Sequence, residues 1–206
     1  MAEAKITCDA LIKRAIEKNC AEPIVQGAEQ LGIIINRSDI DFANVTFVEG
    51  SPNQINALPL KTGKKAYPVF QYGKTPFSGL KTTLGVGNLG GYADNEVPFI
   101  VPDNGPDVCA DIIDPLLDGE FVMIIENKHK NMKSETNAGA SAFQIYGFWN
   151  GLTLKEGTRE QYNDDTLSGW SATLEELKCP KSGMFLNAGS YAATKTLVDT
   201  LLVVAE

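Results

Sequence analysis

Glu120-Phe121-Val122-Met123-Ile124-Ile125-Glu126 is the strongest strand signal in the chain, five consecutive apolar residues held between two glutamates. Its flanks set the fold class. The polar stretch Asn127 to Gly139 reads as a hairpin excursion, and Ala142-Phe143-Gln144-Ile145-Tyr146-Gly147-Phe148 alternates as the returning strand. Upstream, Val108, Ile112, Ile113, Leu116 and Leu117 recur at helical spacing, and Pro115 is expected to bend or stop the last turn.

Working outward, Leu31 to Ile35 reads as a β-branched strand running into the polar turn Asn36 to Asp39, with Val45 to Val48 as its neighbour. From Lys64 to Leu84 the apolar residues alternate loosely but are punctuated by Pro68, Gly73, Pro76 and Gly79, which predicts edge strands and a long loop. Glu96 to Val101 follows a glycine-rich run, and Pro98 places it at a sheet edge rather than in the interior. Thr153 to Glu156 and Trp170 to Glu175 add two strands around the turn Tyr162-Asn163-Asp164-Asp165. Amphipathic helices are expected over residues 8 to 19, carrying Leu11, Ile12, Ala15 and Ile16, and over about Tyr191 to Val203. Several short strands with three short helices imply an α+β fold, built on an antiparallel β-sandwich or barrel with short flanking helices and extended loops. The 206 residues fit one domain, with an N-terminal helix or arm over about residues 1–30 and a long loop region over about 64–95.

Charge narrows the function. Eighteen Lys+Arg against 26 Asp+Glu leave a net charge of −8, which excludes a protein that wraps nucleic acid by neutralising phosphates. The first residues contain no apolar signal core, and no apolar run approaches the roughly 20 residues that span a bilayer, so a cytosolic origin without a membrane span is expected. Cys8, Cys20, Cys109 and Cys179 form no C-x-x-C pair and read as reduced, mostly buried thiols. The sequons at Asn36 and Asn44 carry no weight without a secretory route.

The chemical motifs resolve into bland readings. Gly85-Val86-Gly87-Asn88-Leu89-Gly90 spells G-x-G-x-x-G, but the residues after it cannot continue the helix that a dinucleotide site needs, so it reads as a flexible glycine loop. His129, the one histidine, sits between Lys128 and Lys130 and reads as solvated at the hairpin tip rather than as a general base. Asp103, Asp107, Asp111, Asp114 and Asp118 form the densest carboxylate cluster and read as surface charge, without the spacing of a calcium loop. Asn163-Asp164-Asp165 and Glu175-Glu176 read as turn and surface residues. Trp149 and Trp170, with Phe143, Tyr146 and Phe148, read as core and sheet packing before a ligand groove. Met1 to Gly32 and about Lys64 to Gly91 read as assembly arms. No catalytic, cofactor-binding or metal-binding residue is assigned.

Glu126 to Asn131 and Ala142 to Leu152, then Glu156 to Arg159, Asn163 to Leu174, Tyr191 to Lys195 and the upstream Ile35 to Ile40, resemble a group of virion structural proteins from tailed phages of gut bacteria. The resemblance implies a tail-tube (major tail protein) subunit: a β-sandwich or barrel whose sheets join those of neighbours into rings, usually sixfold, stacked around a channel for DNA. It brings no catalytic residues. The implied partners are further copies of the chain, other tail or connector proteins, and DNA as transient lumen cargo. The implied location is the virion tail, after assembly in the cytoplasm of the bacterial host. An acidic wall suits such a channel, because a basic one would hold each phosphate. The rival readings are a head decoration or head–tail connector protein, and, in another class, a small metal-dependent enzyme built on Asp103 to Asp118 or a ligand-binding β module using the tryptophans.

Overall fold

A computed structural model of the chain describes residues 12, 14–16, 22–88, 90–134 and 138–204. In chain order the strands are β1 (Ala28–Asn36), β2 (Thr46–Phe47), β3 (Gln54–Ala57), β4 (Tyr67–Phe70), β5 (Lys81–Gly87), β6 (Gly90–Val101), β7 (Phe121–Asn127), β8 (Phe143–Tyr146), β9 (Thr153–Arg159), β10 (Trp170–Cys179) and β11 (Met184–Leu186). They form two open sheets, one ordered β2-β3-β11-β8-β7-β1-β4 and the other β5-β6-β10-β9. The fold is therefore α+β with two sheets, and neither closes into the barrel that the sequence left open. Pairing is antiparallel throughout except between β11 and β3, which run parallel.

The burial of β7 explains its sequence. Phe121 to Ile125 are all buried, because the large sheet is covered on both faces. One face, with Ile33, Ile35, Val122, Ile124 and Ile145, packs on Leu197, Val198 and Leu201 of the last helix, Tyr191–Leu201. The other, with Phe121, Met123, Ile125 and Tyr146, packs on Val97, Phe99, Ala172 and Leu174 of the small sheet. A strand buried on both sides needs apolar residues at every position, whereas β6 and β10, with one face in water, alternate.

Several expectations are corrected. Thr46–Phe47 does not neighbour β1; it pairs with β3 at the far edge of the large sheet. Of the predicted loop over about 64–95, residues 64–66 and 71–80 connect strands without joining a sheet, while Tyr67–Phe70 is a strand and Lys81–Gly87 and Gly90–Val101 form a hairpin. Glycines weaken strands by offering no side chain to pack, and here the cross-strand partner supplies it. The Tyr92 ring lies over Gly85 so closely that a Cβ there would meet the ring carbons at 2.5 and 2.7 Å. The first strand starts at Ala28, so an arm can extend no further than Gly27. Of the helix expected over 8–19, residues 12 and 14–16 are described and are not helical, and the rest lies outside the described residues.

Pro98 is a subtler case. β6 is an interior strand, but its pairing with β5 stops at Glu96, so beyond that point its flank is a true edge. There the buried Gln71 side chain takes the place of a strand: its Oε1 accepts from Ile100 N at 2.8 Å and its Nε2 donates to Ile100 O at 3.0 Å. The Ile100 N–H thus points away from β10, and the Pro98 nitrogen, two residues earlier, points the same way, where no donor is required.

Pro115 does not end its helix. The segment is α-helical over Pro106–Val108 and Asp114–Asp118, with a π-helical stretch Cys109–Ile113 between. Proline cannot donate to the preceding turn, and the ladder lengthens just before it, Asp114 N–H reaching Cys109 O.

Candidate functional site

The small sheet has two free margins of equal length, β5 and β9, seven residues each and mostly exposed. β9 carries Lys155, Glu156 and Arg159, whereas β5 beyond Lys81 reads Thr-Thr-Leu-Gly-Val-Gly without charge or proline and is the more open template for an added strand. Leu84 and Val86 are 71% and 89% exposed although they lie on the face that elsewhere meets the core. The pair Gly87↔Gly90 closes this hairpin. Counting back from that hydrogen-bonded pair, the backbone groups of Thr82, Leu84 and Val86 point outward to the free margin.

The outer face of the small sheet is laced by charge. Glu96 Oε1 meets Lys155 Nζ at 2.7 Å and Lys81 Nζ at 3.1 Å, so one carboxylate ties β6 to both marginal strands. The Lys155 hydrogen bond holds the Glu96 carboxyl below its usual range and outweighs the opposing effect of burial.

A second cluster joins the excursion after β7 to the last helix. Glu126 Oε1 accepts from Lys130 Nζ at 2.9 Å and from the Tyr191 hydroxyl at 2.7 Å, and Lys130 also reaches Glu29 at 3.1 Å. Burial alone would raise the Glu126 pKa, but the Lys130 and Tyr191 hydrogen bonds hold it below the ordinary value. A carboxyl depressed in the folded state contributes stability above its unfolded pKa and loses it as pH falls through the folded value. Unfolding by urea at a series of pH values should show wild-type stability falling on acidification below about pH 5, and Glu126→Gln should flatten part of that slope. An identical slope in the variant would refute the assignment.

The third feature was missed in the sequence. Glu176, expected at the surface, is 2% exposed. Its Oε1 accepts from Trp149 N at 2.9 Å and Asn150 N at 3.0 Å, and its Oε2 from Gly147 N at 2.8 Å and Asn95 Nδ2 at 3.0 Å. The signal was available: Ala172, Leu174 and Glu176 share one face by period-2 alternation, and that face is the core face. Beside it the buried Cys179 thiol is pushed up to about 12 by burial and then by the Glu176 charge, so it is an unreactive thiol.

The remaining candidates fall as follows. Gly85–Gly90 spans the β5–β6 turn, with no helix after it, so the dinucleotide pattern is accidental and the glycines belong to a hairpin rather than a loop. His129 is half-buried, and in the same excursion the backbone N–H groups of Lys133 and Met132 hold the Glu22 carboxylate at 2.8 and 3.1 Å. Asp103, Asp107, Asp111, Asp114 and Asp118 are all exposed. Among the described residues no three His, Cys, Asp or Glu side chains converge as a cation site. Asn163 caps its own turn, Oδ1 accepting from Asp165 N at 2.8 Å. Phe143, Tyr146 and Phe148 are buried, and Trp149 and Trp170 half-buried. Cys109 and Cys179 are free thiols, the first half-buried and the second buried, while Cys8 and Cys20 lie outside the described residues. No helix among the described residues is long and apolar enough to cross a membrane. No protein-family model matches the sequence, and comparison with curated proteins and with solved structures gives no significant match.

Proposed function

We propose that this chain is a noncatalytic structural subunit that assembles head to tail into rings through the margins of its small sheet, and that the rings stack as the tail tube of a tailed phage. The observation that carries the reading is the pair of margins. β5 and β9 have the same length, and in an antiparallel sheet of four strands the two outermost run in opposite directions. A copy placed beside another in the same orientation therefore brings β5 against β9 antiparallel, and the sheet continues without a break. Such a contact uses two different patches, so repetition closes a ring or runs on as a filament. Backbone hydrogen bonds supply the affinity and repeated copies the avidity. The sequence resemblance specifies the virion tail and the DNA channel, and the net charge of −8 suits a wall past which DNA slides.

Negative-stain microscopy of the purified full-length protein tests the reading directly, with rings or tubes as the expected result. Leu84→Pro removes an outward N–H from β5 without touching its ladder to β6, and should leave a folded monomer, while Leu84→Ala should still assemble. A wild-type protein that remains monomeric at millimolar concentration, or that coats only capsids, would overturn the tail-tube reading.

A further inference from the structure

The end of the molecule holding Phe121 and Asn36 contains an apolar groove of about 530 Å³, between the margin strand β4, the last residues of β6 and the helix over 106–118. Ile34, Val69, Phe99, Ile112, Leu116 and Phe121 line it. Its helical wall is acidic, since Asp107, Asp111, Asp114 and Asp118 are exposed and no Lys or Arg occurs from Asp103 to Asn127. The other end of the chain presents the complement. Leu11-Ile12-Lys13-Arg14-Ala15-Ile16-Glu17-Lys18 carries three cations against one anion, and Ile12 and Ile16 are 84% and 94% exposed.

We propose that the groove receives this N-terminal segment from a second copy of the chain, with Ile12 and Ile16 in the groove and Lys13, Arg14 and Lys18 against the aspartates. Lys13 and Arg14 lie between the two isoleucines, so an apolar anchor stands on each side of the positive charge. A second apolar groove, of about 480 Å³ beside Leu197 and Val203, has no carboxylate in its lining, whereas Asp111 lines the first.

The chain's own segment stays out of the groove, since Ile12 and Ile16 are 84% and 94% exposed. Glu22, six residues after Ile16, is held on the backbone of Met132 and Lys133, beyond the Asn127 end of β7, whereas the far end of the groove is lined by Asn36 and Phe121. A copy stacked end to end brings segment and groove together. Because its two patches differ, the contact can run on from copy to copy without closing on a pair; it rests on the self-assembly reading but uses none of its β5 or β9 residues.

Sedimentation velocity of full-length variants over a concentration series tests it. Ile12→Asp with Ile16→Asp should weaken end-to-end association about a hundredfold, the scale expected for two buried isoleucines. Asp107→Lys with Asp111→Lys should weaken it too, and adding Lys13→Glu and Arg14→Glu to that variant should restore it. All of these residues are exposed or precede the folded core, so thermal midpoints should stay near wild type. Association unchanged in the arm variants, or lost in the aspartate variants and not restored by the reversal, overturns the proposal. Concentration-independent protection of the groove in monomers overturns it in favour of the chain's own segment. Rings still blocked by Leu84→Pro while the arm variants change nothing would defeat this contact alone; a wild-type monomer would defeat both.

Discussion

Glu176→Ala is expected to lower the unfolding free energy by about 4 kcal/mol, with the urea dependence of unfolding unchanged. The carboxylate is buried, and its four partners are amide donors: the backbone N–H groups of Gly147, Trp149 and Asn150 and the Asn95 side chain. Those donors replace water around the charge, and the charge in turn satisfies the backbone donors of the turn packed on β10. Removing the acceptor leaves buried N–H groups unpaired at about 1–3 kcal/mol each, less whatever water can enter the space. Glu176→Gln separates this from mere packing. The amide keeps the volume but has one acceptor oxygen, so one of the two donor pairs faces an NH₂ group. It should cost about 2 kcal/mol or more. A glutamine variant as stable as wild type would mean that the site is held by shape rather than by the carboxylate.

The second large effect is expected at the same turn from the backbone side. Gly147 has φ +83°, a left-handed conformation that an L side chain adopts only at a cost of about 1–2 kcal/mol. A Cβ there would press on the Phe121 carbonyl oxygen and lie 2.9 Å from Leu152 Cγ and from Leu152 N. Those are the atoms that join β7 to the residue before β9, Leu152 N donating to Phe121 O at 2.7 Å and Phe121 N to Leu152 O at 2.9 Å. Neither the rigid backbone nor the buried leucine can move aside. Gly147→Ala should therefore destabilise by about 3 kcal/mol or more. Gly63→Ala, also at positive φ but with nothing within 4 Å of the new methyl, should cost only the conformational part. Thermal or urea unfolding of the two variants checks the difference, and equal losses would show that the close approach at Gly147 carries no energy.

Local pattern carried much of the fold. The unbroken apolar run of β7, the alternation in β8 and β10, the polar excursion between β7 and β8, and the helix bearing Leu197 and Leu201 are each readable within one segment, because the residue period reports which faces are dry. Pro98 was legible only in part: its missing N–H does face an unpaired flank, but the strand that carries it lies inside the sheet between β5 and β10. Where the reading failed, a residue's environment came from a distant part of the chain. Gly85 to Gly91 looks like a loop until the Tyr92 ring covers Gly85 across the hairpin. Thr46–Phe47 looks like a neighbour of β1 until β3 claims it at the opposite edge.

Glu176 marks the boundary most clearly. Its side of the strand follows from alternation with Ala172 and Leu174, so the sequence by itself determined that it points inward. Only the tertiary structure decided that a charge is acceptable there, because the donors that hold it sit 26 to 29 residues away in the Gly147–Asn150 turn and 81 residues away at Asn95. Hydrophobic periodicity is a property of one strand, whereas the hydrogen bonds that offset a buried charge, and the sheet margins left open at β5 and β9, exist only after distant segments have been brought side by side.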